Sequence, residues 1–263
     1  MPTRSINGFS MSYAEKGSGP VLVLLHGFPL DSRMWQAQVS ELSGRWQVIA
    51  PDHRGFGQSR SETPFTIESL ADDAHALLRE LKALPCVLAG LSMGGYVALA
   101  YAKKYPTDLR GLILIDTKAE GDSPEGKEGR QKMIDSVRAE GSKAVADQMM
   151  PKMLAEETPK ARPHQAQALR EIMDACPPKT IEHALLAMRD RPDRTADLPS
   201  IAVPTLILVG DRDRITPLSN AQTMRDKIPN SQLTLIKGAG HMSPMEQPAQ
   251  VNQAIGRFLG ALA

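Results

Sequence analysis

No stretch of this 263-residue chain is apolar for long enough to span a bilayer. Its first residues, Met1-Pro2-Thr3-Arg4-Ser5-Ile6, lack the apolar core of a secretion signal. Cysteine is almost missing. Only Cys86 and Cys176 occur, which leaves one disulfide open but makes a reduced, cytoplasmic protein the expectation. Cys86 abuts an apolar run and reads as a small core residue rather than a thiol catalyst. An excess of one charge is missing too. The 31 Lys and Arg side chains nearly cancel 30 Asp and Glu, the formal net charge is +1, and no block of like charge stands out. Neither a nucleic-acid partner nor a membrane partner is therefore expected. No pair among the six histidines has metal-ligand spacing, so a zinc hydrolase is not expected, and nothing calls for a cofactor. Internal repeats and low-complexity segments are also absent.

What is present is enough apolar content, 41%, to bury one large α/β domain. Asn7-Gly8 predicts a two-residue hairpin turn between short alternating segments. Val21–Leu25 is a continuous apolar run, as expected of a strand buried on both faces of a parallel sheet. It leads into the loop His26-Gly27-Phe28-Pro29. Asp31 or Ser32 is placed to cap a helix running through Trp35 to Leu42. Further strands are expected at Trp46–Ala50, Pro85–Leu91, Leu112–Ile115, Pro204–Gly210 and Leu233–Ile236. Amphipathic helices are expected from Ile67 to Leu81 and from Val251 to Leu262, with further helices at Tyr96–Tyr105 and about Ser219–Lys227.

Between Lys118 and Asp197 the alternation stops. Helical patterns there are broken by Pro151, Pro159, Pro163 and Pro177-Pro178, and methionines concentrate at positions 133, 149, 150, 153, 173 and 188. The division read from this is a core of residues 1–117 and 198–263, with residues 118–197 inserted after a core strand as a helical cap. The methionines suit either a plastic pocket roof or plain helix packing. The fold class is α/β: a mostly parallel, eight-stranded sheet with helices on both faces. In such sheets ligands bind beyond the carboxyl ends of the strands. His26, Ser92, Asp116, Asp213 and His241 all fall just after such ends.

Gly90-Leu91-Ser92-Met93-Gly94 has the Gly-x-Ser-x-Gly form of a nucleophile elbow, a sharp strand-to-helix turn that exposes the serine oxygen. A serine hydroxyl is a weak nucleophile and needs a base within hydrogen-bond reach. His241, in Gly238-Ala239-Gly240-His241 after the last strand, is the leading candidate base. His53, His75, His164 and His183 read as solvated or structural. The base needs a carboxylate to fix its tautomer. Asp213 is favoured, Asp211 is assigned to capping its turn, and Asp116 is held in reserve. The main-chain N–H groups of Met93 and Phe28 are the candidate oxyanion donors, and His26 is expected to brace the Phe28 loop. Lys127, Arg130, Lys132 and Arg138 read as a solvated helix face, with reception of a substrate carboxylate as the lesser alternative.

Five elements taken together resemble the α/β-hydrolase fold family across nearly the whole chain. They are His26-Gly27-Phe28-Pro29, Asp52-x-Arg54-Gly55-x-Gly57-x-Ser59, the Gly90–Gly95 elbow, Asp213-x-x-x-Pro217 and Gly240-His241. Within that family the chain is similar to 3-oxoadipate enol-lactonases, small carboxylesterases and cofactor-free haloperoxidases. The resemblance implies a structural role for the Asp52–Ser59 turn. It also implies an acyl-enzyme on Ser92 cleared by water that His241 activates, with a small acyl compound as substrate. Serine at the elbow disfavours the dehalogenase and epoxide-hydrolase chemistry of members that carry aspartate there. Perhydrolysis, carbon–carbon bond hydrolysis and a ligand receptor that retains the triad remain alternatives. The sequence says nothing of oligomeric state.

Overall fold

Eight strands form one sheet: β1 (Thr3–Ile6), β2 (Phe9–Lys16), β3 (Val21–Leu25), β4 (Gln47–Pro51), β5 (Cys86–Leu91), β6 (Leu109–Ile115), β7 (Thr205–Gly210) and β8 (Ser231–Ile236). The structure is a computed structural model and describes residues 1–262. The strand order is β1-β2-β4-β3-β5-β6-β7-β8. Only β1 and β2 run antiparallel to their neighbours, and β3 to β8 pair in parallel. The hairpin at Asn7-Gly8 has the expected form. Both residues have positive φ, 45° and 86°, and Ile6 pairs with Phe9. That is the turn whose twist matches the flanking strands.

The inner strands β3, β5 and β7 are buried along their whole length and read as apolar runs because both of their faces are covered, whereas the edge strand β8 is partly exposed. Alternate side chains enter two separate cores. Val23, Leu25, Leu88, Leu112, Leu114, Ile207 and Val209 point to one face, where they meet Leu70, Ala74 and Leu77 of α2 (Ile67–Glu80, after α1, Gln36–Leu42) and Val97 and Tyr101 of α3 (Met93–Lys104). Leu22, Leu24, Val87, Ala89, Ile113, Ile115, Leu206 and Leu208 point to the other, against Trp35 and Leu42. That second core is closed by Val251, Ile255 and Phe258 of the last helix. The start expected for the helix after Asp31 differs in detail. Asp31 caps a 3-10 turn at Ser32–Trp35, accepting from the Arg33 N–H, and α1 follows it.

Between β6 and β7 lie α4 (Pro124–Glu140), α5 (Ser142–Met153), α6 (Thr158–Ala161), α7 (Pro163–Asp174) and α8 (Pro178–Asp190). After β7 come α9 (Leu218–Lys227), α10 (Ser243–Glu246) and α11 (Pro248–Gly260). The prolines of the inserted segment act differently from simple breakers. Pro159, Pro163 and Pro178 occupy the first turn of α6, α7 and α8, where a missing N–H costs nothing, whereas Pro151 lies inside α5 near its end. Met153, Met173 and Met188 are buried in the cores, and Met133, Met149 and Met150 are partly buried against them. Helix packing therefore accounts for the buried three.

The inserted helices dock through named contacts. The Thr180 hydroxyl of α8 donates to the Gly55 carbonyl at 3.0 Å. The Arg191 guanidinium, buried, donates to the carbonyls of Met188 and Glu120 and to Asp122, and stacks 4.0 Å above the Tyr96 ring. Cys86 and Cys176 are both free and buried, and burial pushes the Cys86 thiol up to about 12, which fits an inert core residue. Among the described residues no helix is long and apolar enough to cross a membrane.

Leu22 is wholly buried in β3, in the middle of the sheet. Leu22→Ala is expected to lower the unfolding free energy by about 2–5 kcal/mol, read by urea unfolding. A loss below about 1 kcal/mol would mean that the second core is looser than its contacts indicate.

Candidate active site

The turn after β5 is built by close backbone approach. A Cβ on Gly90 would lie 2.1 Å from the Gly94 carbonyl oxygen, and one on Gly94 would lie 2.3 Å from that of Leu25. Only glycine fits at either place. Between them Ser92 has φ 53° and ψ −114°, a conformation that non-glycine residues rarely adopt. It is held there from both sides. The Ser92 N–H donates to Ile115 O at 3.0 Å, while its carbonyl accepts from Gly95 N–H, Tyr96 N–H and the Thr117 hydroxyl, the last at 2.8 Å. The side chain is half-buried at the start of α3.

His241 follows β8 on a loop pinned at each residue around it. The Gly238 and Ala239 N–H groups donate to Asp211 Oδ1, at 2.8 and 3.3 Å. Asp211 thus braces the histidine loop across from it, rather than capping its own turn as expected. The Gln247 amide donates to Gly238 O at 2.9 Å. His241 Nε2 stands 2.8 Å from Ser92 Oγ, and Nδ1 stands 2.9 Å from Asp213 Oδ2. The Asp213 carboxylate accepts a hydrogen bond from Nδ1–H, which leaves Nε2 free to accept from the serine hydroxyl.

Asp213 is oriented by its own turn. Its Oδ1 accepts from the N–H groups of Ile215 and Thr216, and its Oδ2 accepts the Thr216 hydroxyl at 2.6 Å. The same hydroxyl oxygen lies 3.2 Å from His241 Nδ1. Burial works against charge on both partners. It is outweighed by their mutual attraction, so His241 is held above its ordinary value and Asp213 below. Asp116, the reserve acid, reaches neither ring nitrogen of His241 among its hydrogen bonds. Its Oδ1 accepts from Gly210 N–H and its Oδ2 from the N–H and hydroxyl of Ser243, tying the ends of β6 and β7 to α10. Burial, then the charge of Asp213, pushes it up to about 8.

Met93 follows Ser92 as the first residue of α3, and Phe28 lies on the loop after β3. The Phe28 loop touches the elbow directly, since a Cβ on Gly27 would lie 3.3 Å from Ser92 Cβ. Among the described residues neither the Phe28 nor the Met93 N–H has a protein acceptor. His26 braces this loop. Its Nε2 accepts from His53 N–H at 3.0 Å, so the proton sits on Nδ1, which donates to Gly27 O at 2.9 Å. Burial keeps both His26 and His53 below the ordinary histidine value, in keeping with neutral rings.

The other histidines stand apart from this cluster. His53 and His183 are buried, the structural half of the expectation for these residues, His75 bonds Asp108 at 2.8 Å, and His164 is exposed. The basic residues of α4 are largely committed elsewhere: Arg130 pairs with Asp122, Lys132 with Glu128 and Arg138 with Glu182. That leaves little there for a substrate carboxylate. A cleft of about 910 Å³ between Met34, Val39, Ile172 and Met245 includes neither Ser92 nor His241. Among the described residues no group of three or more His, Cys, Asp or Glu side chains is gathered as a metal site requires. Sequence reasoning did not single out Thr216, Thr117 or Glu246. Thr216 was open to it, because a hydroxyl three residues after an aspartate commonly closes a local turn.

The sequence pattern of the alpha/beta hydrolase fold matches residues 20–248. A thermophilic esterase from Thermogutta terrifontis is 42% identical. Its solved structure superposes with a TM-score of 0.95 over 99% of this chain and 98% of that one. The enol-lactonase of Burkholderia xenovorans is 26% identical with a TM-score of 0.92, over 98% of this chain and all of that one. A putative non-heme chloroperoxidase of Synechocystis is 32% identical over 94% of both chains.

Because a methyl group at position 94 would meet backbone rather than a yielding side chain, Gly94→Ala is expected to cost about 1–3 kcal/mol of stability. Thermal and chemical unfolding measure it, and an alanine variant as stable as the wild type would contradict the contact with Leu25.

Proposed function

The chain belongs to the α/β-hydrolase fold family, and we propose that within it the protein is a serine hydrolase of small carboxylic esters or lactones. The observation that carries this reading is the 2.8 Å contact between His241 Nε2 and Ser92 Oγ, with Asp213 behind the ring. The likeness to an esterase and an enol-lactonase supports the substrate class.

In the proposed reaction the Ser92 proton passes to His241 Nε2 as Oγ bonds to the acyl carbon. The carbonyl oxygen becomes an oxyanion, received by the N–H groups of Phe28 and Met93. Those amides are fixed before reaction and need no reorganisation, which is why such donors are effective in a buried site. Collapse breaks the bond to the leaving oxygen, which takes the proton from Nε2 and departs as the alcohol. A water then gives its proton to Nε2 and attacks the acyl-enzyme. The second collapse returns the proton to Ser92 and releases the acid. A lactone gives the hydroxy acid by the same steps. Asp213 stays ionised throughout and stabilises the imidazolium. In this reading the helices of residues 118–197 shape the acyl pocket.

A second reading has hydrogen peroxide take the place of water against the same acyl-enzyme, giving a peracid. The likeness to a putative non-heme chloroperoxidase supports it. Product analysis with and without peroxide separates the two.

Ser92→Ala is expected to lower hydrolysis of an activated short-chain ester by roughly four to six powers of ten, measured beside a fluorophosphonate that labels only the wild type. Near-normal turnover in the variant would remove Ser92 from the chemistry. The base must be neutral to accept a proton. With His241 held above its ordinary value of 6.5, kcat/KM should therefore fall with acid through a midpoint above that value. Asp213→Asn takes away the charge that favours the imidazolium. It should move that midpoint down and cut kcat by roughly 10⁴, while Asp211→Asn does far less. The reverse ranking of the two variants would assign the acid to Asp211.

A further inference from the structure

Glu246 is fully buried at the end of α10, and none of the donors to its carboxylate is a cation. Its Oε1 accepts the Gly240 N–H at 2.7 Å. Its Oε2 accepts the Ala155 N–H at 2.8 Å and the Thr158 hydroxyl at 2.6 Å. One side chain therefore joins the residue before His241 to the connection between α5 and α6. The two backbones are in direct contact there, since a Cβ on Gly240 would lie 2.6 Å from Ala155 N and from Leu154 C. Arg162, just after α6, reinforces the junction by donating to the Glu246 carbonyl and to Gln247 Oε1, the latter at 3.3 Å.

Burying a carboxylate is costly, and only its hydrogen bonds offset the cost. Here the donors come from both sides of the boundary between the inserted helices and the sheet. An apolar residue would fill the space but could not hold the two sides in register. We propose that Glu246 is a positioning residue that locks the His241 loop to the inserted helices, so that seating of residues 154–158 on Gly240 sets where the imidazole stands relative to Ser92. This rests on the serine-hydrolase reading. Glu246 adds its charge to that of Asp213 on the β7 turn in favouring the protonated ring, while Asp116 after β6, pushed up to about 8 by burial, faces the same imidazole mostly uncharged.

The test uses Glu246→Gln and Thr158→Val in the full chain, with Ser92→Ala as control. The readouts are fluorophosphonate labelling, thermal midpoint, and kcat and KM for a short ester across pH. Glutamine keeps one acceptor but turns an amide donor toward one side of the junction. It is expected to lower kcat by about tenfold or more, with KM changed by less than about threefold and the acid midpoint moved to lower pH. Thr158→Val keeps the Gly240 bond and loses one bond to the inserted helices, so a smaller fall in kcat at nearly constant KM is expected. Wild-type kcat and acid midpoint in a folded Glu246→Gln enzyme would overturn the proposal. Should that variant fail to fold, Thr158→Val decides alone: reduced kcat at constant KM upholds the proposal, and wild-type kcat overturns it. Failure of the wild type itself to label at Ser92 would remove the serine-hydrolase reading and this one with it.

Discussion

A buried imidazole needs a buried counter-charge, and in this protein that requirement organises the whole carboxyl edge of the sheet. His241 is 2% exposed and Asp213 7% exposed, so water screens their attraction poorly. The same burial would penalise either charge alone. The turn after β7 meets this by giving Asp213 hydrogen-bond donors from Ile215 and Thr216, and the loop after β8 that carries His241 is held in place by Asp211 through the Gly238 and Ala239 N–H groups. Burial, reinforced by the nearby charge of Asp213, pushes Asp116 upward, while its own donors staple β6, β7 and α10 together. Two carboxylates near one histidine thus take different tasks because their donors differ.

The serine side of the site depends on distance rather than charge. Gly90 and Gly94 let α3 start directly against the backbone of β3, and Ser92 is held in its uncommon conformation by bonds to Ile115 at the end of β6 and to Thr117 just after it. That strain is sustained because rigid neighbours determine it from two directions. Beneath it, the alternating side chains of β3, β5, β6 and β7 fill two cores of comparable make-up, so the sheet edge carrying the site rests on packed material on both faces.

The inserted helices are joined to this edge at several separate points. Thr180 meets Gly55, Arg191 meets Tyr96, and Glu246 meets Ala155 and Thr158. The first two contacts anchor the insertion to the turn after β4 and to α3. The third reaches the histidine loop itself, and for that reason it can couple the insertion to the chemistry.

The sequence alone carried the alternation of apolar strands and helices, the Asn7-Gly8 hairpin, the elbow around Ser92, and the choice of Asp213 and His241. Each of these is written in a short window. A strand needs an apolar run, a tight turn needs glycine at fixed offsets, and a loop after a strand end needs only its own residues. Tertiary structure alone decided that Asp211 braces Gly238 and Ala239, that His53 and His183 are buried, that Arg130 and Arg138 of α4 are paired with Asp122 and Glu182, and that Glu246 spans to Ala155 and Thr158. Those side chains act on partners far away in the chain. Glutamate at position 246 looks like any surface acid until the fold carries α6 and Gly240 to either side of it, because a hydrogen bond is set by distance in space and leaves no period in the sequence.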